Sequence, residues 1–191
     1  MVDILSETAN YYRESLKRHG ATAKGVDWNN EKTQKMRFDV ISSYIDAQHR
    51  PSVLDVGCGY GAFAEHLKQC GIDCDYHGID ICPEMIDAAQ RKHPSHSFRV
   101  DHAENLAETE VTYDYVIASG TFNACMNNTR DAWRQYFHTS LQAMYEASCT
   151  AMICNMMSSY LDYKYDHLYY PTASEMAELC DQKLSRSFIL D

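Results

Sequence analysis

No run in this chain approaches the ~18 consecutive apolar residues that a membrane-spanning helix needs, so no membrane partner is expected. Basic residues are scarce: 17 lysines and arginines face 27 acids, for a formal net charge of −10. Such a surface repels phosphate backbones, which disfavours general nucleic-acid binding. The nearest basic cluster, "RESLKRHG" from Arg13 to Gly20, reads as a solvated helix face. None of the eight cysteines forms a Cys-x-x-Cys pair, and the first twenty residues carry charges throughout, with no apolar core of signal length. Scattered, reduced thiols in a cytoplasmic protein are therefore expected. Cys70 and Cys74, with His66 and His77 nearby, imitate a zinc set, but their spacing crosses a helix end and a turn, so no metal is expected. The Gly-Lys-Ser/Thr of a phosphate-binding loop is also missing.

What is present fits one domain with a sizeable core: 191 residues, 45% of them hydrophobic and 23% charged. Residues Ile4 to His19 show helical spacing, and Gly20 fits a C-terminal cap. A loop leads to a second helix, "KTQKMRFDVISSYIDA", which Arg50-Pro51 ends. From there strands and helices alternate. The strands are "SVLDVG", "DYHGID", "SHSFRVD", "YDYVIASG", "CTAMICNMM" and a last one, "SRSFIL". The helices between them are "AFAEHLKQC", "PEMIDAAQRKH", "TRDAWRQYFHTSLQAMYEAS" and "TASEMAELCDQKL". Strands alternating with helices imply crossover connections, hence an α/β fold with a mostly parallel, doubly wound sheet and helices on both faces. Residues 1–50 form an N-terminal helical segment and 51–191 the core.

One stretch asks for a ligand. "SVLDVGCGYGAF" sets Gly57, Gly59 and Gly61 at alternate positions straight after the first strand. In a doubly wound sheet ligands bind at the carboxyl ends of the strands, so these glycines let the loop turn tightly and let a ligand reach the main chain. The dinucleotide pattern G-x-G-x-x-G is not met; the spacing here is G-x-G-x-G, which weakens a pyrophosphate reading. Asp80 ends the second strand about 20 residues on, where a carboxylate grips ribose hydroxyls and repels a 2′-phosphate. A nucleoside with a free ribose follows. Asp80 also stands where a helix cap would, and Asp55 reads equally as a buried structural acid.

At this point "VLDVGCGYG" followed by "GIDICPEMIDAAQ" resembles the class I S-adenosylmethionine-dependent methyltransferases, over about Ser52 to Ser148. The resemblance implies a Rossmann-like, seven-stranded, mostly parallel sheet, S-adenosylmethionine as cofactor and S-adenosylhomocysteine as product. It implies that Gly57, Cys58, Gly59 and Gly61 shape the loop beside the methionine part. It implies that Asp55 holds that loop or the amino group, that Asp80 binds both ribose hydroxyls, and that Ile81 packs on adenine. Where the family has an acid for the adenine amino group, "RVDHAENL" offers Asp101 one place early and His102 in place. Ser119 and Gly120 face the cofactor across the cleft.

Methyl transfer from a sulfonium asks the protein mainly to hold an acceptor in line, close and dry. No clear base is visible, and the Asn/Asp-Pro-Pro-Tyr/Phe signature of adenine- and glutamine-methylating branches is replaced by "SGTFNA". Asn123, His138 and Tyr160 are the catalytic candidates, each with a structural alternative. Tyr11, Tyr12, Trp28, Arg37 and Phe38 in the N-terminal segment, with Phe122 and Asn123, are candidates for the acceptor pocket; Arg37 would pair with a carboxylate. The tyrosine cluster Tyr160, Tyr163, Tyr165, Tyr169 and Tyr170 is a further aromatic surface on the ligand side. The family's closing antiparallel strand has no counterpart after "SRSFIL", so dimerisation, strand exchange or lowered stability is expected. The function expected is methyl transfer to a small molecule. The alternatives are intramolecular cyclisation of the same cofactor and a non-catalytic nucleoside-binding protein.

Overall fold

The computed structural model describes residues 2–191. Helix α1 (Val2–His19) ends at Gly20 in the left-handed conformation. A short 3-10 turn, Ala23–Val26, breaks the expected loop; the Thr22 hydroxyl accepts from Gly25 N, and Asp27 leaves the turn at φ 66°. Helix α2 (Glu31–Ser43) starts where Asn30 Oδ1 accepts from Thr33 N at 2.9 Å. It stops four residues before the expected end, with Tyr44 as its cap.

The core alternates strand and helix as the apolar runs predict. It comprises β1 (Ser52–Val56), α3 (Ala62–Gln69), β2 (Asp75–Asp80), α4 (Pro83–Lys92), β3 (Ser97–Val100), β4 (Tyr113–Ser119), α5 (Arg130–Glu146), β5 (Ser148–Asn155) and α6 (Ala173–Leu179). Every neighbouring pair in the sheet is parallel, in the order β3-β2-β1-β4-β5. The chain therefore works outward from β1 to β3, then returns to lay β4 on the other side of β1. That reversal brings the loops after β1 and β4 together at one end of the sheet. The Thr121 hydroxyl donates to Val56 O at 2.7 Å across the gap.

The period-2 alternation of β1 splits the core in two. Leu54 and Val56 face α5, where Trp133, Phe137 and Leu141 are fully buried. Val53 faces the other way, among Phe38 and Ile41 of α2, Phe63 and Leu67 of α3, and Ile86 of α4. Thus α2 closes one face of the core, and α1 is tied to α4 by the Arg13–Glu84 ion pair.

Two expectations need correction. "SRSFIL" forms no strand, and the sheet has five described strands where the resemblance implies seven. A six-residue segment gains strand hydrogen bonds only by lying in register along the outer edge of β5. Here α6 runs on into a wide turn, Cys180–Leu184, and the tail after it is drawn toward α2, where the Tyr44 hydroxyl donates to Asp191 Oδ2 at 3.4 Å. Phe188, Ile189 and Leu190 stay exposed, and the outer edge of β5 is unpaired among the described residues. All eight cysteines are free.

Gly78 shows how tightly β2 is packed. A Cβ there would lie 2.6 Å from the Phe98 ring and 2.8 Å from Cys58 Sγ, both buried. Gly78→Ala is expected to lower stability by about 1–3 kcal/mol through overpacking. Urea unfolding of the two proteins checks this; an unchanged midpoint would show that the strand has room.

Candidate active site

The loop after β1 carries the three glycines, all at positive φ: 73° at Gly57, 54° at Gly59 and 78° at Gly61. Its shape is fixed from below. Gly57 N and Cys58 N both donate to Ile79 O, at 2.8 and 3.0 Å. A Cβ on Gly57 would meet the Thr121 side chain at 2.4 Å, so the position requires glycine for space as well as for conformation.

Asp80 organises the next contact. Its Oδ2 accepts from Gly59 N at 2.9 Å and its Oδ1 accepts from Cys82 N at 2.8 Å. One carboxylate thus joins the glycine loop to Cys82, the residue that precedes α4, without itself capping the helix. Burial pushes its pKa up to about 6, against the pull of the amides of Cys82, Gly59 and Ile81. Asp55 lies deeper, 3% exposed, and accepts a short hydrogen bond from the Tyr76 hydroxyl. Burial raises its pKa to about 7; the Tyr76 bond opposes that and the Asp80 charge adds to it.

These groups line a cavity of about 1,600 Å³. The space runs on past these groups along β5 to the C-terminal tail, where Met152, Ser185 and Leu190 also line it. Asp55, Gly57, Cys58, Gly59, Asp80, Ile81, Asp101, His102, Ser119 and Gly120 all reach its wall, as do Tyr11, Tyr12, Trp28, Arg37, Phe38, Asn123 and Tyr160. Gly61 does not line it and instead starts α3, packed against His93. The N-terminal segment covers the loops directly. The methyls of Val26 lie 3.0 Å from where a Gly59 Cβ would be, and the Trp28 ring 3.2 Å from that of Gly120. Tyr11 and Tyr12 meet edge to face beside Asp27. Burial and the charges of Asp27 and Asp80 hold the Tyr12 hydroxyl firmly protonated. Burial drives the Cys58 thiol well above its usual range, which rules it out as a ready nucleophile.

Several candidates have structural employment. Phe122 is 1% exposed, packs on Tyr136 and Phe137, and is absent from the wall; its carbonyl accepts from Trp133 Nε1 at 2.9 Å. His138 lies off the cavity, with Nε2 3.5 Å from Glu175 Oε1. Asn123 is a bridge: its Oδ1 accepts from Met157 N at 3.1 Å and its carbonyl from Tyr169 N at 2.7 Å. Tyr160 is 81% exposed at the rim. Of the tyrosine cluster, Tyr160 and Tyr165 line the cavity, whereas Tyr169 is buried and donates to Glu175. The Asp101 carboxylate is engaged by Arg99, Asn105 and the His102 amide. His102 Nδ1, by contrast, is buried with no hydrogen-bond partner.

Asn155 and Thr121 do work that the sequence reading did not assign. Asn155, at the end of β5, accepts from Gly120 N at 2.8 Å and donates to Ser119 Oγ at 3.1 Å, fixing the loop opposite the glycines. A polar residue closing an apolar strand at the ligand end was the available signal.

Residues 53–144 match the family model described as a methyltransferase domain. The Mycobacterium tuberculosis protein Rv1506c, which carries a methyltransferase name, is 32% identical over 150 residues, covering 76% of this chain and 88% of its own. The chain belongs to the class I S-adenosylmethionine-dependent methyltransferases. A ubiquinone biosynthesis O-methyltransferase of Xanthomonas oryzae is 29% identical over 62% of this chain and 50% of its own length. This methyltransferase therefore spans about half of that relative. In fold it is similar to an S-adenosylmethionine-dependent methyltransferase of Thermotoga maritima, with a TM-score of 0.59 at 14% identity, covering 95% of this chain and 79% of that one.

The residues present suit the family's cofactor. Gly57 has no space for a Cβ and Gly59 meets only a Val26 methyl, both at positive φ; Asp80 holds the loop with a carboxylate, and His102 leaves a buried nitrogen unpaired. No helix among the described residues is long and apolar enough to cross a membrane.

The raised acids set a pH dependence. An unfolded Asp titrates near ~3.9, so between pH 5 and 8 the folded methyltransferase holds more protons on Asp55 and Asp80 than the unfolded chain does. That contribution to stability is present at low pH and lost as pH rises through about 7. Burial lowers the pKa values of His66, His93, His96 and His138, which pulls the other way below pH ~6.5. A difference measurement isolates Asp55. The stability of wild type minus that of Asp55→Asn, from urea unfolding, is expected to fall from pH 5 and to level off above about pH 7. A flat or rising difference would contradict the buried-acid assignment.

Proposed function

We propose that this methyltransferase acts on a small acceptor with an apolar or aromatic body and an anionic group, enclosed between the N-terminal segment and the tyrosine-bearing stretch after β5. One observation carries the reading: Val26 and Trp28 of the N-terminal segment pack against the loops after β1 and β4, which gives the cavity an apolar and aromatic wall of the kind a small acceptor needs. The acidic surface supports the same choice.

Bound S-adenosylmethionine would supply a methyl already activated by its sulfonium. The residues' share is holding, enclosing and drying. Asp80 would take the ribose hydroxyls, Ile81 the adenine face, and His102 Nδ1 a polar edge of the base. Asp55 would face the positively charged end. Trp28, Tyr11 and Tyr12 would wall the acceptor, and water exclusion by such a wall supplies part of the effective concentration on which in-line displacement depends. Arg37 is the one lysine or arginine on the cavity wall among the described residues. We assign it the acceptor's negative group, since guanidinium pairs bidentately with carboxylate or phosphate. No buried base faces the chamber unambiguously, which fits an acceptor that ionises readily or one aligned by position alone.

Incubation with methyl-labelled S-adenosylmethionine and a small-metabolite extract should yield a labelled anionic product and S-adenosylhomocysteine. Arg37→Ala should cut that labelling at least tenfold while S-adenosylhomocysteine binding stays within threefold. Release of methylthioadenosine would instead mean cyclisation, and absence of any labelled product across extracts would mean a binding role. The free edge of β5 supports self-association, and a sedimentation profile of a single monomer at micromolar concentration would remove that reading.

A further inference from the structure

The face of the molecule away from the cofactor loops holds a set of ligand-type side chains that methyl transfer does not use. His66 and Cys70 stand one turn apart on α3, and Asp39 reaches them from α2. Their donor atoms lie within 4.8 Å of one another. The His66 ring is fixed in place: it is 4% exposed, stacks on Phe63, and tilts against Phe38. Its Nε2 is 3.4 Å from Cys70 Sγ and 3.6 Å from Asp39 Oδ1. A tetrahedral zinc ion with sulfur at ~2.3 Å and nitrogen at ~2.0 Å sets those two ligands about 3.5 Å apart. The two distances from His66 Nε2, 3.4 Å to Cys70 and 3.6 Å to Asp39, are thus close to those between ligands of one ion.

We propose that Asp39, His66 and Cys70 form a three-ligand site for zinc(II), open at its fourth position to water or to Ser42. The Ser42 hydroxyl is 3.3 Å from His66 Nε2. Thiolate and imidazole together select zinc-like ions over magnesium and calcium. The pairing differs from the one that sequence spacing suggests. Cys74 and His77 lie past the turn after α3 and do not join the set, whereas Asp39, 27 residues before His66, does.

The site has a competitor. Lys35 Nζ holds Asp39 through both oxygens, at 2.6 and 2.9 Å. The ion would replace the ammonium at that carboxylate, in a place where Asp39, Lys35 and Cys70 are all exposed and reachable. Binding would pin α2 to α3. Because α2 contributes Arg37, Phe38 and Ile41 to the cavity wall while α3 begins at the glycine loop, the ion would stiffen the acceptor side of the site from outside it.

The test uses the full chain, metal-free, with its thiols kept reduced by a phosphine. Zinc(II) is titrated in competition with a chromogenic chelator, and cobalt(II) serves as the spectroscopic probe. One equivalent should bind. Cobalt should give a thiolate charge-transfer band with tetrahedral visible absorption, and zinc should raise the thermal midpoint. Cys70→Ser and Asp39→Asn, both on exposed side chains, should each weaken zinc at least tenfold, and Cys70→Ser should abolish the band. Cys149→Ser, an exposed thiol on β5, should change neither reading. Equal zinc affinity in wild type and Cys70→Ser would overturn the assignment. So would a cobalt spectrum without the thiolate band, or a loss confined to Cys149→Ser.

Discussion

The two oxygens of Asp80 accept from Gly59 N and Cys82 N, and much of the site depends on that one carboxylate. It sits between the loop after β1 and the first turn of α4, so both loops take their shape from a group that is itself costly to bury. The raised pKa of Asp80, with that of Asp55 beneath it, shows that the fold does not fully compensate this charge. Nor does any lysine or arginine except Arg37 line the cavity among the described residues. A fold that keeps partly uncompensated carboxylates in a cleft is poised for hydroxyl donors and a cation, which a ribose and a sulfonium together provide.

The rest of the architecture serves to hold the opposite wall. Asn155 and Thr121 lock the loop after β4, and a short antiparallel contact joins Ala124 to Leu168. Arg130 reinforces it by donating to the carbonyls of Leu168 and Asp166. The cleft is thus built between two braced loops, and the N-terminal segment is laid across them at Val26 and Trp28. Large apolar burial is reserved for the two faces of the sheet, and the cavity wall mixes aromatics with main chain.

The parts legible in the sequence are those with strong local causes. Alternating apolar runs and helix periods gave five strands and their helices close to their observed ends, and the glycine spacing with Asp80 marked the two loops that the Gly59–Asp80 hydrogen bond joins. Misreadings came where tertiary context decides. Phe122 reads as a pocket residue from its place after β4, yet packing on Phe137 turns it inward. "SRSFIL" has strand composition, but a strand forms only where an edge receives it, and the tail goes to α2 instead. His138 is drawn off the cavity by Glu175, 37 positions away in the chain, a pairing that no local pattern announces. Asp101 and His102 could not be ranked from their alignment. In the structure the Asp101 carboxylate is engaged by Arg99, Asn105 and the His102 amide, while His102 Nδ1 is without a partner.

Isothermal calorimetry of S-adenosylhomocysteine with wild type and with Asp80→Asn tests the central claim most directly, since the two side chains are nearly the same size and differ in charge. The account predicts one-to-one binding to wild type and at least tenfold weaker binding to Asp80→Asn, with the variant still folded by circular dichroism. No heat with wild type, or equal affinity in the two proteins, would contradict it.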